Sequence, residues 1–460
     1  MKKRMYKIMA LAMTAAMVVP MAAQTTAFAA DDKEITYWNI AVESPDKDIV
    51  TAAVDKFNKE TKSGYTVNQV AIQNDTYKEK LVIAMSSGEC PDMYSSWSGG
   101  PMYEYIDSGF AQPIDDLLDQ SDIKDKLLDA AIEQGSYNGH VYAIPYLNVS
   151  LAGIFYNKDM FKQYGLEEPK TLADLENICA TLKENGITPF ALANASKWTG
   201  SMYFMSLAAR YGGLEPFQNA VAGTGKFTDD CFIKAGEKIQ EWVKNGYFPD
   251  GVNSLSEDDG QAKQLMYQET AGMLLCGSWY TGTFQTDSEE FYQKIGWFPF
   301  PAIDDSDADP TIQIGTVGDQ FISFNCEGDK LAAAFECAAD HLSDEVEDMI
   351  YSTGKIAPVK DAGDHISDPV VKEIFDAAQE ASSIQLWYDQ YLPTSVASAH
   401  LDGLQEVFGL TKTPQEAQEE MQTAMDEYLS TKSDSGAADD TAEEATDDAA
   451  ADDAAADDAE

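Results

Sequence analysis

The sequence predicts an α/β protein of two lobes, each built on a mainly parallel sheet with helices on both faces. Strand-like runs alternate with amphipathic helical runs from about residue 31 to residue 432, which is the signature of βαβ units. Some 400 residues exceed one ordinary hydrophobic core, so two lobes are expected. A further region from Thr171 onward repeats the strand and helix logic of the first hundred residues.

Residues 1–30 read as an export segment. Lys2, Lys3, Arg4 and Lys7 form a charged start, residues 8–19 an apolar run, and Ala27-Phe28-Ala29 a small-x-small cleavage site. The apolar run is shorter than the ~20 residues of a spanning helix. Residues 35–39 then form a first strand. Ser44 can cap the next helix, Pro45 suits its first turn, and Ile49, Val50, Ala53, Val54 and Phe57 share its apolar face. Residues 65–72 are a second strand, residues 77–87 a helix stopped by Gly88, and residues 93–97 a third strand. Residues 142–158 carry two more strands around Pro145, with Asp159 opening a helix. Thr171 caps a helix with Leu172, Leu175, Ile178 and Leu182 inward, and residues 189–192 form a strand. Ligands of open α/β sheets sit beyond the carboxyl ends of strands, which directs attention to residues just after Trp38, Ser96, Leu192 and Gly277.

Residues 433–460 repeat Ala-Ala-Asp-Asp with twelve carboxylates, no Lys or Arg, and no large apolar side chain, so a disordered acidic tail is expected there. The whole chain carries a formal charge of -48. Such a field repels phosphates, disfavours nucleic acid, nucleotides and anionic lipid as partners, and suits a neutral or cationic ligand. Cys90, Cys179, Cys231, Cys276, Cys326 and Cys337 lack metal-ligand spacing. Their even count allows bridges, but a chain this long can build cores without them, and buried free thiols are expected. Asp305-x-Asp307-x-Asp309 has Pro310 and Thr316 where a calcium loop needs Gly and Glu, so it reads as a solvated acidic loop. The four histidines show no metal spacing, no Ser or Cys sits in a nucleophile elbow, and no cofactor is expected.

Several short pieces then fall in a family order. They are Pro91-Asp92-Met93-Tyr94 with Trp97-Ser98-Gly99-Gly100, then Ala143-Ile144-Pro145 through Phe155-Tyr156-Asn157-Lys158. Thr188-Pro189-Phe190-Ala191-Leu192 with Trp198 and Ala271-Gly272-Met273 through Gly277-Ser278-Trp279 follow. Pro299-Phe300-Pro301, Gly315-Thr316-Val317-Gly318 and Gln385-Leu386-Trp387-Tyr388-Asp389 complete the set. In that order the chain resembles the extracellular carbohydrate-binding proteins of ABC importers, of the maltose, raffinose and oligosaccharide-binding type. The resemblance implies a two-lobed periplasmic-binding-protein fold with three hinge crossings, near Pro145, near residues 299–303 and near residues 355–359. Lobe 1 would comprise residues 31–145 and 302–356, and lobe 2 residues 146–301 and 357–432. It further implies a monomer that captures an oligosaccharide and delivers it to ABC permease subunits. Gram-positive members usually begin with a lipidated cysteine. The first cysteine here is Cys90, so an extracellular or surface-associated protein without that anchor is expected.

A sugar ring has apolar C–H faces that pack on aromatic rings, and a hydroxyl rim that needs placed polar groups. Trp97, Trp198, Trp279 and Trp387 match family positions where aromatics face sugar, and Tyr280 is either a further platform or a packing residue. Asp389 can accept two hydroxyls of one ring, or stand as a solvated loop acid. Asn39 and Ser44 flank the first strand end, Asn148 lies beside the first crossing, and Asp319 and Gln320 follow a Gly-rich turn. Trp38, Trp242 and Trp297 are assigned to core packing, and residues 156–158 to a strand-to-helix junction. A glycoside hydrolase, needing only two placed carboxylates, is the alternative from another class. The same fold holding a peptide, polyamine or metal is a third, against which four cleft tryptophans argue for stacked rings.

Overall fold

The computed structural model describes residues 33–451, with side chains through residue 432. The export segment expected over residues 1–30 lies outside the described residues, as do the side chains of the acidic tail expected from 433 and all of the chain after 451. The final helix, Pro414–Ala451, carries described backbone into that tail.

Thirteen strands are seen in the described residues. In chain order they begin β1 (Glu34–Asn39), β2 (Thr66–Ala71), β3 (Met93–Ser96), a small hairpin of β4 (Ser136–Tyr137) and β5 (His140–Val141), β6 (Ala143–Tyr146) and β7 (Val149–Asn157). They continue with β8 (Thr188–Phe190), β9 (Ala271–Gly277), β10 (Ile295–Phe298), β11 (Gln313–Val317), β12 (Gln320–Phe324) and β13 (Ile384–Gln385). Lobe 1 holds the sheet β2-β1-β3-β12-β6, and lobe 2 the sheet β13-β11-β7-β9-β8, with β10 also on β7.

The expected elements form for the reasons that predicted them. Helix Asp46–Glu60 buries Ile49, Val50, Ala53, Val54 and Phe57 against the lobe 1 sheet, each such burial being worth about 1.5–3 kcal/mol for the larger side chains. Helix Asn74–Ser87 ends at Gly88, whose φ of 74° a side chain would resist. Thr171 and Asp174 form a reciprocal capping box at helix Leu172–Glu184. Asn157 caps helix Lys158–Tyr164 by accepting from the amides of Asp159 and Met160. Trp242 and Trp297 are core residues, and Trp38 packs on the small cluster around Tyr77 and Leu81.

Three expectations are corrected. Both sheets are mixed rather than mainly parallel: β12 runs antiparallel to β3 and β6, and β7 antiparallel to β9, β10 and β11. The strands entering from the other lobe arrive head-on, which short right-handed crossovers do not predict. Ser44 caps nothing, because the residue before the helix is Pro45 and the Ser44 hydroxyl donates to Asp48 at 2.7 Å. The second crossing lies at Gly318–Asp319, not at residues 299–303, since β11 still pairs with β7 in lobe 2 and β12 is the first strand back in lobe 1. Residues 300–312 are held inside lobe 2 by Arg210, a buried side chain whose guanidinium donates to the carbonyls of Phe300 (3.2 and 2.9 Å) and Ile312 (2.8 Å). The first crossing falls at Leu147–Asn148, between β6 and β7. In the third, Ile356 accepts from the Val149 amide and Val359 bridges to Leu127 before the chain returns to lobe 2.

Candidate functional site

Between the lobes lies a cleft enclosing about 1270 Å³ of empty space, its open mouth included. Strand ends build its walls, as the α/β rule requires. Trp97 follows β3 in lobe 1, Trp279 and Tyr280 follow β9, Trp387 follows β13, and Trp198 opens the helix Trp198–Gly212 after β8. Nine of the eleven expected residues line this space: the four tryptophans, Tyr280, Ser44, Asp319, Gln320 and Asp389.

The lobe 2 indoles form one corner. Trp279 lies 6.0 Å from Trp198 at 58° and 6.0 Å from Trp387 at 68°. At these angles the rings do not stack face to face on each other. Gly277 makes room for this corner, because a side chain there would occupy the space of the Trp279 indole. The Trp198 indole N–H has no protein partner. Trp387 and Tyr280 line the space while being only 2% and 3% exposed. Across the cleft Trp97 stands edge-on to Tyr77 at 6.0 Å, with Lys78 Nζ 5.0 Å from its ring centre.

Two expected residues lie elsewhere. Asn39 is fully buried, with Oδ1 accepting from the Ala41 amide at 3.0 Å, so it shapes the end of β1 behind the cleft wall. Asn148 is buried in the first crossing, where Nδ2 donates to Ser278 at 3.2 Å and Oδ1 accepts from the Ile356 amide at 2.8 Å. Its amide joins the first and third crossings.

Sequence reasoning missed most of the charged lining: Glu43, Asp46, Lys78, Glu257, Asp258, Lys263 and Lys355. The lysines are paired. Lys355 meets Asp46, Lys263 meets Asp287 at 3.0 Å, and Lys78 meets Asp389 across the lobes at 3.4 Å. Glu257 accepts from the Tyr280 hydroxyl, and burial raises its carboxyl to about 7 against the smaller opposing effects of Tyr280 and Lys263. Burial likewise raises Asp319 to about 7, with Lys355 opposing and Asp46 reinforcing. Gln320 is oriented from behind: the Tyr146 hydroxyl donates to its Oε1 at 3.0 Å, and Tyr146 is itself held by Ser95 and Tyr37. That leaves the Gln320 amide nitrogen as the donor facing the cleft. Signals for the missed residues were weak, since single acids and lysines, whether on polar helix faces like Asp46, Lys78 and Lys263 or in turns like Glu257 and Asp258, carry no period of their own.

Among the described residues no group of three or more His, Cys, Asp or Glu is placed to hold a metal, and no helix is long and apolar enough to cross a membrane. All six cysteines are unpaired, five of them buried.

Residues 41–339 match the model of the bacterial extracellular solute-binding protein family. The chain belongs to that family. An uncharacterized ABC transporter extracellular-binding protein of Pyrococcus horikoshii is 32% identical over 228 residues, 49% of this chain and 50% of the relative. The melibiose/raffinose/stachyose-binding protein of Bacillus subtilis is 23% identical over 60% of this chain and 63% of its own. The chain thus spans about half the length of the curated relatives it matches first. Solved structures cover more. One from a study of xylan utilization by Caldanaerobius polysaccharolyticus superposes with a TM-score of 0.77 at 29% identity, over 85% of this chain and 99% of that one. A chitin oligosaccharide binding protein reaches 0.78 at 23% identity, over 86% and 98%, and shows the same fold.

Proposed function

We propose that this solute-binding protein captures a neutral oligosaccharide between its lobes outside the cytoplasm and presents it to the permease of an ABC importer, with no chemistry of its own. The observation that carries the reading is the corner of Trp198, Trp279 and Trp387 facing Trp97 across the cleft. Indole faces suit the C–H faces of pyranose rings, and the Trp198 N–H, Gln320, Glu257 and Asp319 supply polar groups for hydroxyls. A carboxyl group near neutrality can donate as well as accept, which suits an uncharged rim of hydroxyls. The acidic lining disfavours uronate-bearing chains. Relatives and structural neighbours whose names refer to sugars support the same reading.

The test is calorimetric titration with a panel of neutral oligosaccharides, repeated with Trp279→Ala. The substitution is expected to weaken binding by more than ~1 kcal/mol while the protein stays folded, and no new reducing ends should appear during incubation. Unchanged affinity in folded Trp279→Ala would remove the indole corner from the site.

A further inference from the structure

The cleft has a neighbour. A second cavity, about 810 Å³ of empty space, lies between the same two lobes and is lined by Ser98, Tyr103 and Gln134 from lobe 1 and Phe217, Gln385 and Tyr391 from lobe 2. The two cavities share no lining residue. Consecutive residues face opposite ways: Trp97 lines the cleft and Ser98 the second cavity, while Gln390 lines the cleft and Tyr391 the second cavity. The partition is therefore one backbone thick on each side.

It is also tight. A Cβ placed on Gly99 would stand 2.6 Å from the Cα of Tyr391, and one on Gly100 would stand 2.6 Å from the carbonyl carbon of Leu392 and 2.8 Å from the nitrogen of Pro393. Side-chain contacts extend the same seam on both flanks. Lys78 meets Asp389 at 3.4 Å on the cleft side, and Glu104 accepts from the Thr394 amide at 3.0 Å and hydroxyl at 2.6 Å on the outer side. Elsewhere around the cleft, by contrast, the bridges between the lobes depend on side chains: Lys263 to Glu43 at 3.5 Å, and Asp258 to the Asp75 amide at 3.1 Å. Side chains can swing aside for a ligand, whereas two backbones in contact cannot.

We propose that the contact of Gly99–Gly100 with residues 390–393 is an end wall, so that the cleft takes its oligosaccharide by one chain terminus, set against this wall, while the remainder leaves through the mouth. This rests on the carbohydrate reading above. The wall makes Gly99 and Gly100 specificity-determining residues although neither supplies a side chain to the ligand. Long polymers would be held only by an end, and chains lacking a free terminus, such as cyclic oligosaccharides, would be refused.

The experiment uses the full mature protein and the neutral oligosaccharide that binds best in the calorimetric panel, in three forms: untagged, tagged with a bulky fluorophore at the reducing end, and tagged at the non-reducing end. One tag is expected to weaken binding more than tenfold while the other is tolerated. Tolerance of both tags, or loss with both, overturns the wall. Gly100→Ala supplies a second arm. Gly100 has no positive φ and opens the helix Gly100–Asp107, so alanine is compatible with the fold of lobe 1. The variant should stay folded yet bind the untagged sugar at least tenfold more weakly, because its Cβ holds the lobes apart at the seam. Parent-like affinity for Gly100→Ala would also overturn the proposal. If the parent protein bound no carbohydrate at all, the functional reading would fall and this inference with it, an outcome distinct from symmetric tolerance of tags.

Discussion

At the scale of single residues, the cleft combines side chains that line its space with side chains that only hold them in place. Glu257 shows how the two differ. Its carboxyl sits near 7 chiefly through burial, so the folded protein retains a proton there that an unfolded chain releases near 4.3. The native state then binds more protons than the unfolded state, and stability from this group falls as pH rises from about 4.3 through about 7. Glu257→Gln keeps an acceptor for Tyr280 but removes the titration. Relative to the parent, its melting temperature is expected to gain steadily as pH is raised through neutrality, and a constant difference across that range would show that the carboxyl is not buried as described. The place of the indoles on the cleft was legible in the sequence because they stand at or near strand ends and match positions of the resembled family where aromatics recur. Asn39 and Asn148 were misread for the opposite reason: short amides beside such ends serve the backbone as readily as a ligand, and both found backbone partners.

At the scale of elements, amphipathic period and capping chemistry made the first three strands, the helices between them and the capped helix after Thr171 readable. What escaped was sheet membership. A strand's apolar run says that it is buried, not which sheet accepts it, and β11 and β12 are both buried throughout while belonging to different lobes. The deciding contact is remote in sequence. Arg210 on helix Trp198–Gly212 anchors the chain around Phe300 and Ile312, and burial lowers its guanidinium to about 10 without discharging it at neutral pH. Arg210→Leu would leave two buried carbonyls unpaired. It is expected to destabilise the protein by more than ~2 kcal/mol in urea unfolding, with a much smaller effect on ligand affinity in the surviving folded fraction.

At the scale of the whole molecule, the lobes meet through few charged contacts, and the Lys78–Asp389 pair spans the cleft directly. Lys78 is about a third exposed and Asp389 is 10% exposed, so the pair sits between a surface and a buried bridge. A coupling of about 0.5–1 kcal/mol is expected, expressed as ligand affinity because the pair exists only with the lobes together. A double-mutant cycle with Lys78→Met and Asp389→Asn, measured by calorimetry, should return that coupling at low salt and a smaller one at high salt. Zero coupling at low salt would place the two side chains in separate roles.

The position of β12 has a consequence for how the chain is made. This strand lies between β3 and β6, in the interior of its sheet, yet it is the last of the five to leave the ribosome. Until residue 324 has been synthesised, β3 and β6 have no common neighbour and the amino-terminal third has no finished core to settle into. A nascent polypeptide arranged in this way cannot complete its first sheet until more than half of the chain has been made.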